Sequence, residues 1–322
     1  STLTVSHSQA LSSLAIGTIY HFRVVSTNSV GLTTTSDDFT FTTAALPIVS
    51  AVVASAITGT AATITWTTDQ ATSSQVEYGP TTSYGTTTLG APAVTAHSQG
   101  LTGLTIGTTY HYRVVSTNNV GLTTTSDDFT FTTVALPVVS AVAASAITGT
   151  AATIGWTTDQ ATSSQVEYGT TTAYGSSTSL DTALTTSHSQ TLSGLAIGTT
   201  YHYRVISTNS VGLTTTSEDL TFTTVAAPVL SAVAAATITG TAATISWASD
   251  QLTSSQIEYG ITTAYGTTTA LDSALATSHS QTLSGLTIAT TYHYRVISTN
   301  SVGLTTRSDD FTFTTVALPI LS

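Results

Sequence analysis

One short strand pattern occurs four times in the chain and constrains its fold more than any other feature. In the segment 110–115, Tyr-His-Tyr-Arg-Val-Val, the side chains of Tyr110, Tyr112 and Val114 share one face, and the residues between them share the other. A period of two residues is typical of a β-strand with one buried face. The same segment recurs around Arg23, Arg204 and Arg295, at intervals of 90 or 91 residues. The chain is therefore a tandem repeat.

This interval divides the 322 residues into modules of about 90 residues. A module of that length can bury its own hydrophobic core. We predict the C-terminal half of a module at 1–47 (the half-module), complete modules at 48–137, 138–228 and 229–319 (the first, second and third modules), and the start of a further module at 320–322. Short junctions that contain proline are expected to connect the modules stiffly.

The half-module lacks the segment that contains tryptophan in the complete modules. Its aromatic side chains are therefore expected to lack half of their core. Either the chain is part of a longer repeat protein, or a neighbouring chain supplies the missing strands. We favour the first interpretation, because residues 320–322 resemble the opening of another module.

Each complete module contains about seven short strand patterns with turn residues between them. In the first module, the second strand is predicted at 62–66, with Ile64 and Trp66 on one face, and the third at 75–78. The Thr/Ser/Gly-rich segment 81–95 is expected to be a loop with a weak edge strand. No segment has helical periodicity. The pattern predicts an all-β fold, a tandem array of seven-stranded antiparallel sandwiches.

Charged residues make up only 7% of the chain, against roughly 25% in an ordinary soluble domain. There is no lysine, and five arginines accompany sixteen acidic residues for a net charge of −11. This balance argues against binding to nucleic acid or to an anionic membrane surface, since both require basic residues. Cysteine is absent, which excludes disulfides and thiol chemistry. No apolar segment reaches the roughly 20 residues of a membrane helix, so we expect no membrane insertion within this chain.

Threonine and serine supply most of the polar surface. One interpretation is a soluble repeat protein whose surface has no special role. The other is a surface that packs against other copies or carries O-linked sugars, because a low charge removes a barrier to association.

Several motifs resemble fibronectin type III domains: Trp66, the run 104–110 (Leu-Thr-Ile-Gly-Thr-Thr-Tyr) and the closing Phe-Thr-Phe-Thr-Thr strand. Ile106 stands where that family usually has proline. The segments Val-Glu-Tyr-Gly and Thr-Thr-Ala-Tyr-Gly are similar to the bacterial extracellular version, found in large secreted proteins and beside secreted hydrolases. The resemblance covers the whole chain and implies immunoglobulin-like sandwiches, a fold that hosts many functions. The integrin-binding Arg-Gly-Asp tripeptide of the family is absent.

Eight histidines form two series, one before the Tyr-His-Tyr-Arg strand and one on it: His7, His97, His188 and His279, then His21, His111, His202 and His293. A metal site needs three or four ligands that converge on one ion. In the resembling fold, the two strands belong to opposite sheets, so the series should not converge. We therefore expect surface histidines that point outward, and no metal site.

Acidic residues also repeat. Pairs precede the last strand of each module: Asp37-Asp38, Asp127-Asp128, Glu218-Asp219 and Asp309-Asp310. Such a pair is either a calcium-binding loop or a solvated turn that protects a sheet edge, and the lack of an Asp-x-Asp-x-Asp-Gly loop favours the turn. Two further sets are interpreted as surface acids rather than as a glycosidase pair, because a catalytic pair would recur in every module: Asp69, Asp159 and Asp250, then Glu77, Glu167 and Glu258.

Arg113 and its equivalents Arg23, Arg204 and Arg295 lie on the outer face of the central strand. We expect Arg113 to pair with Glu77 on the adjacent strand.

No catalytic, cofactor-binding or metal-binding residue is predicted, and no cofactor, because the sequence has neither a nucleophile elbow nor a phosphate-binding loop. The sequence favours a structural protein that forms a cell-surface stalk, fibre or extracellular filament by end-to-end and lateral packing of modules. The alternative is a spacer, or carbohydrate- or protein-binding modules, of a secreted enzyme or adhesin whose active part lies outside this chain. Expected partners are copies of itself and, second, cell-surface or matrix polysaccharide. The expected location is extracellular or at the cell surface.

Overall fold

The computed structural model describes residues 3–319, so the predicted further module at 320–322 lies outside the described residues. The chain forms two compact units, Ser1–Leu136 and Pro137–Ser322. All regular structure in the described residues is β-strand, and none of it forms a helix that could span a membrane. The all-β prediction is confirmed, while the predicted module boundaries stay predictions.

The first unit begins with the half-module, whose four strands form two separate two-stranded antiparallel sheets: β1 (Ile19–Phe22) with β4 (Phe39–Thr42), and β2 (Val25–Thr27) with β3 (Thr33–Thr35). Phe22 and Phe39 are 40% and 51% exposed, whereas Tyr112, which occupies the position of Phe22 in the first module, is 2% exposed. An open hollow of about 1560 Å³ borders Phe22 and Phe41. Phe22 and Phe39 of the half-module are therefore uncovered on one side, while the assignment of 1–47 as half of a module stays a prediction.

The first module completes this unit with seven strands: β5 (Val49–Ser55), β6 (Ala61–Gly79), β7 (Thr86–Thr87), β8 (Ala91–Thr102), β9 (Thr109–Thr117), β10 (Thr123–Thr125) and β11 (Phe129–Thr132).

The second unit contains two modules with the same seven strands. The second module has β12 (Val139–Ser145), β13 (Ala151–Gly169), β14 (Ser176–Ser177), β15 (Asp181–Ser193), β16 (Thr200–Thr208), β17 (Thr214–Thr216) and β18 (Leu220–Thr223). The third has β19 (Leu230–Ala236), β20 (Ala242–Gly260), β21 (Thr267–Thr268), β22 (Asp272–Ser284), β23 (Thr291–Thr299), β24 (Thr305–Arg307) and β25 (Phe311–Thr314).

The long strand β6 belongs to both sheets of the sandwich. Its first part pairs with β5 and β8, and its last part, 75–79, pairs with β7 and β9, all antiparallel. We call these the smaller and the larger sheet; β10 and β11 complete the larger one along β9. The prediction of separate strands at 62–66 and 75–78 was wrong. The β6–β8 register shifts between Thr67 and Thr72, and such an irregularity lets a strand bend from one sheet to the other without a turn.

The core of each module lies between its two sheets. In the first module it comprises Ala62, Ile64, Trp66, Val76, Leu101, Leu104, Tyr110, Tyr112, Val114 and Phe131. The third module repeats the whole set at equivalent positions, and the second repeats it except that Tyr201, the equivalent of Tyr110, is only partly buried. The indole Nε1 of Trp66 donates a hydrogen bond of 3.0 Å to Ser116 Oγ on β9, so the one polar atom of the indole is satisfied inside the core. The predicted array of seven-stranded sandwiches is confirmed.

The hairpin after β6 requires a glycine for reasons of space. A Cβ at Gly79 would lie 1.5 Å from the carbonyl oxygen of Tyr84. Tyr84 itself has φ of 58°, a conformation that a bulky residue rarely adopts. The hairpin is therefore tight enough to place the Tyr84 ring over the outer face of the larger sheet.

We predict that Gly79→Ala destabilises the first module by roughly 1–3 kcal/mol, the usual cost of forcing an extra carbon into a packed site. The measurement is amide hydrogen exchange of residues 61–79 in the whole chain. Gly90→Ala is the control, because a Cβ there meets nothing within 4 Å, and it should change stability by less than about 0.5 kcal/mol. Equal effects of the two variants would contradict this account of the hairpin.

Candidate functional site

Each complete module carries the same group of five polar or charged side chains on the outer face of its larger sheet. In the first module these are Glu77, Tyr84, His111, Arg113 and Asp128, which we call the outer cluster. The antiparallel register places Glu77 directly opposite Arg113. The other two modules have equivalent clusters: Glu167, Tyr174, His202, Arg204 and Asp219, then Glu258, Tyr265, His293, Arg295 and Asp310.

An ion pair forms the centre of the outer cluster. Arg113 Nε donates to Glu77 Oε2 at 2.6 Å, and Arg204 donates to Glu167 at the same distance. This confirms the predicted pairing. The Arg113 guanidinium also lies 4.6 Å from the centroid of the Tyr84 ring, within the range of a cation–π interaction. The hydrogen bond with Glu77 raises the pKa of Arg113 above its ordinary value. Arg113 is therefore a permanent cation held between a carboxylate and an aromatic face.

Asp128, the second acid of its pair, connects the other members of the cluster. Its Oδ2 lies 2.8 Å from His111 Nδ1, and its Oδ1 accepts a hydrogen bond of 3.1 Å from the Tyr84 hydroxyl. The hydrogen bond with His111 lowers the pKa of the Asp128 carboxyl below its ordinary value of 3.8. Burial, and then the hydrogen bond to Asp128, raise the pKa of Tyr84. The carboxylate thus fixes the loop between β10 and β11 to the outer face.

The acidic pairs do not form a calcium site with other acids or histidines. Within residues 3–319, no group of three or more His, Asp or Glu side chains is positioned to hold a metal ion. The first acid of the pair, Asp127, contributes its carbonyl oxygen, which accepts a hydrogen bond of 2.8 Å from the Ser126 hydroxyl.

The first series of histidines is buried in the complete modules, and the prediction of outward surface histidines was wrong for His97, His188 and His279. His97 is 4% exposed. Its ring stacks on Trp66 with centroids 4.7 Å apart, Nδ1 lies 2.6 Å from Ser74 Oγ, and Nε2 lies 2.9 Å from Thr68 Oγ1. His97 is directly opposite Trp66 in the β6–β8 register, and opposite residues of antiparallel strands point to the same face. The sequence does contain a signal for this burial. His97 and Leu101 are four residues apart in one strand and so lie on the same face, and Leu101 is a core residue.

The second series lies on the outer face as predicted, and the two series are on opposite sheets, β8 and β9 in the first module. His111 is partly exposed, and both His7 and His21 in the half-module are exposed. The expected separation of the two series is confirmed.

Ser74 and His97 are the nearest approach to a nucleophile and a base, but their surroundings do not suit catalysis. A catalytic serine needs an accessible hydroxyl and a base oriented by a third group, usually a carboxylate. Ser74 is 2% exposed, and the other ring nitrogen of His97 faces the Thr68 hydroxyl. Burial lowers the pKa of His97 below 6.5. The buried histidine is a neutral core residue that satisfies neighbouring hydroxyls.

The two sets of surface acids have separate structural partners. Asp69 Oδ1 accepts a hydrogen bond of 2.7 Å from the main-chain N–H of Ile48, the residue after the junction proline. Asp159 and Asp250 accept the same bond from Val138 and Val229. Glu77 instead pairs with Arg113, so the structure does not join the two acids in a glycosidase-like pair. The role of Asp69 in fixing the start of the module was missed, because a contact across 21 residues has no local sequence signal.

A small open cleft of about 290 Å³ lies beside the outer cluster of the second module. Glu167, Tyr174 and Arg204 line it together with the turn 175–177. The two charges in the cleft already pair with each other, so the cleft is close to neutral.

Comparison with known proteins agrees with this three-fold repetition. A family model described as the purple acid phosphatase N-terminal domain matches residues 50–133, 139–224 and 230–315, most of the chain. The chain belongs to this family. Three copies of the purple acid phosphatase N-terminal domain therefore follow one another here, each with a fibronectin-like sandwich.

Among solved structures, the FN1–FN3 domains of chicken CNTN1 are similar, with 18% identity over 84% of this chain and 99% of that chain, and a TM-score of 0.29. No curated protein matches the chain.

We predict that Arg113 and Glu77 are energetically coupled through their ion pair. In a double-mutant cycle with Arg113→Ala and Glu77→Ala, the double variant should lose less stability than the two single losses combined. The coupling should weaken in high salt, since both side chains are partly exposed. Hydrogen exchange of β9 measures it. Arg307→Ala is the control, because none of the ion pairs within residues 3–319 involves Arg307. Additive single effects would show that the pair contributes nothing.

We also predict that the complete modules lose stability as the pH falls from about 7 to about 5. The unfolded histidine takes up its proton near pH 6.5, whereas burial holds the pKa of His97 lower. Protons therefore favour the unfolded state from about pH 6.5 down to the folded pKa, and the loss ends below it. The lowered pKa of Asp128 reduces stability only as the pH falls below about 5, so its contribution is separate.

Denaturation midpoints across this pH range provide the measurement. Asp181 raises the pKa of His188 and so opposes the effect of burial. Asp181→Ala should therefore steepen the loss in the second module. Replacing the three buried histidines with glutamine should remove the slope; a slope that survives in a folded triple variant would contradict the prediction.

Proposed function

We propose that this chain is a structural protein, an array of β-sandwich modules that builds a cell-surface stalk, fibre or extracellular filament. Modules would pack end to end within the array and laterally with other copies. The partners are copies of the same chain, and the second class of partner is cell-surface or matrix polysaccharide. The proposed location is extracellular or at the cell surface. The chain would be a repeat protein of the bacterial extracellular fibronectin type III kind.

The observation that carries this proposal is the equivalence of the modules. The same outer cluster and the same buried histidine occur in all three complete modules, with side-chain distances that agree within 0.4 Å for the Trp–His stack, 4.7, 5.0 and 5.1 Å. An enzyme concentrates its reactive groups at one site, whereas here the outer cluster and the buried histidine recur in each complete module and already have structural partners. Repetition of this kind favours a role in length and packing.

The surface composition supports lateral contact. Only 7% of residues are charged, and Arg113 pairs with Glu77, so the net charge of −11 is spread thinly over 322 residues. Repulsion between two copies is therefore weak at any one place and is screened by salt. A leucine just before β8, β15 or β22 is exposed in every complete module. The exposed fractions are 92% for Leu89, 55% for Leu180 and 59% for Leu271. Exposed apolar groups at regular spacing are suited to contact between parallel arrays.

A second candidate function is that of a spacer, or of binding modules, in a secreted enzyme or adhesin. The family supports it, since its name refers to the N-terminal domain of an enzyme. The cleft beside Tyr174 supports a binding role, because an aromatic ring with neighbouring charged groups suits a sugar. In this case the catalytic part would lie outside the residues of this chain.

Electron microscopy of the purified chain, over a range of concentrations, distinguishes the two functions. The structural role predicts ordered filaments or lateral bundles that grow with concentration. A spacer predicts isolated strings at every concentration. A variant with Leu89, Leu180 and Leu271 replaced by serine should reduce bundles without unfolding the modules, because these side chains are exposed. Strings that never associate would contradict the proposed structural role.

A further inference from the structure

A turn of the third module sits on the end of the second module, and both lie in the same compact unit, Pro137–Ser322. Gly149, between β12 and β13, is buried. A Cβ at this position would lie 2.9 Å from both Cδ1 and Cδ2 of Leu304, which follows β23 in the third module. It would also lie 3.1 Å from Ile197 Cγ2 of the second module. Leu304 therefore occupies a shallow seat whose floor is the glycine backbone.

Space, and not conformation, explains this glycine. Gly149 is not among the residues with positive φ, so its backbone is one that other residues adopt. The equivalent Gly240 of the third module provides a comparison. A Cβ there would meet Ile288 Cγ2 at 3.0 Å and the Val316 carbonyl oxygen at 3.5 Å, both in its own module. The contact with the isoleucine is common to both glycines, and the contact with a leucine of the next module distinguishes Gly149.

The junction between these modules is also fixed by hydrogen bonds. The carbonyl oxygen of Ala226 accepts one from Gln251 Nε2 and one from Asn300 Nδ2, each 3.3 Å long. The carbonyl oxygen of Pro228 accepts one of 2.6 Å from Thr306 Oγ1. The linker is thus bound to the third module, and a Cβ at Gly198 of the second module would lie 3.1 Å from Ala226 Cβ. Both modules hold the linker closely.

We infer that the seat around Gly149 and Ile197 is a docking surface for the Val-Gly-Leu turn of another module of this type, and that it couples the second and third modules energetically. Repeat proteins gain stability in this way from contacts between neighbours. The inference goes beyond the proposed structural role, because the coupling holds equally for a filament and for a spacer.

The sequences of both the turn and the seat recur along the chain. The turn Asn-x-Val-Gly-Leu ends at Leu32, Leu122, Leu213 and Leu304. The segment Thr-Gly-Thr, which contains the glycine of the seat, occurs at 58–60, 148–150 and 239–241. Leu304 is half-buried on its seat, whereas Leu32 in the half-module is 70% exposed. Leu32 therefore serves as a matched control for the loss of a leucine from this turn.

The test is module-resolved amide hydrogen exchange of the whole chain, read on peptides within 151–169 and 242–260. Leu304→Ala should speed exchange of 151–169 several-fold, although the substitution is in the third module. Gly149→Ala should displace the flexible end of Leu304 and so speed exchange of both peptides, but less than Leu304→Ala speeds that of 151–169. Gly240→Ala should affect 242–260 only. Leu32→Ala should change neither peptide.

A double-mutant cycle completes the test. Because Leu304→Ala removes the atoms with which the new Cβ collides, Gly149→Ala should cost less in that background than in the wild type. If Leu304→Ala speeds exchange only in the third module, the two modules are independent and the inference is wrong. If Gly149→Ala fails to fold, the Leu304→Ala arm still decides, since it truncates a half-buried side chain outside the core.

Discussion

The tryptophan between the two sheets is the interaction on which each module depends. Trp66 stacks on His97 of β8 and donates its indole hydrogen bond to Ser116 of β9. Its own strand, β6, runs through both sheets. A single side chain thus connects three strands, and burial of its large apolar surface contributes more than any smaller side chain of the core. The half-module has no tryptophan segment, and two of its aromatic side chains, Phe22 and Phe39, are exposed.

The charged side chains of the outer cluster fix a hairpin and a loop of each complete module to its larger sheet. Arg113 lies between Glu77 and Tyr84, and Asp128 bonds both His111 and Tyr84. These contacts hold one hairpin and one loop against the larger sheet. The same arrangement recurs in each of the three complete modules. Hydroxyl groups of threonine and serine supply most of the remaining polar surface, so charged groups are sparse there.

Strict alternation in the sequence predicts the strand around Arg113, the sandwich and the Arg113–Glu77 pair, because all three follow from a period of two and from adjacent strands. Three features of the fold do not follow from this alternation. The burial of His97 depends on its register with Trp66, the continuity of β6 depends on a shift of register, and the role of Asp69 depends on a contact 21 residues away. Leu304 packs on Gly149 across the boundary between two modules, and the sequence pattern of a single repeat cannot predict such a contact.

The central claim is that each complete module closes its own core and serves to extend and hold the chain. Stretching single molecules of the whole chain tests it most directly. The account predicts three separate unfolding steps that each release about 90 residues, an added length of roughly 30 nm per step; contacts between modules break without releasing chain. A single step that releases the whole chain, or a smooth extension without steps, would contradict it.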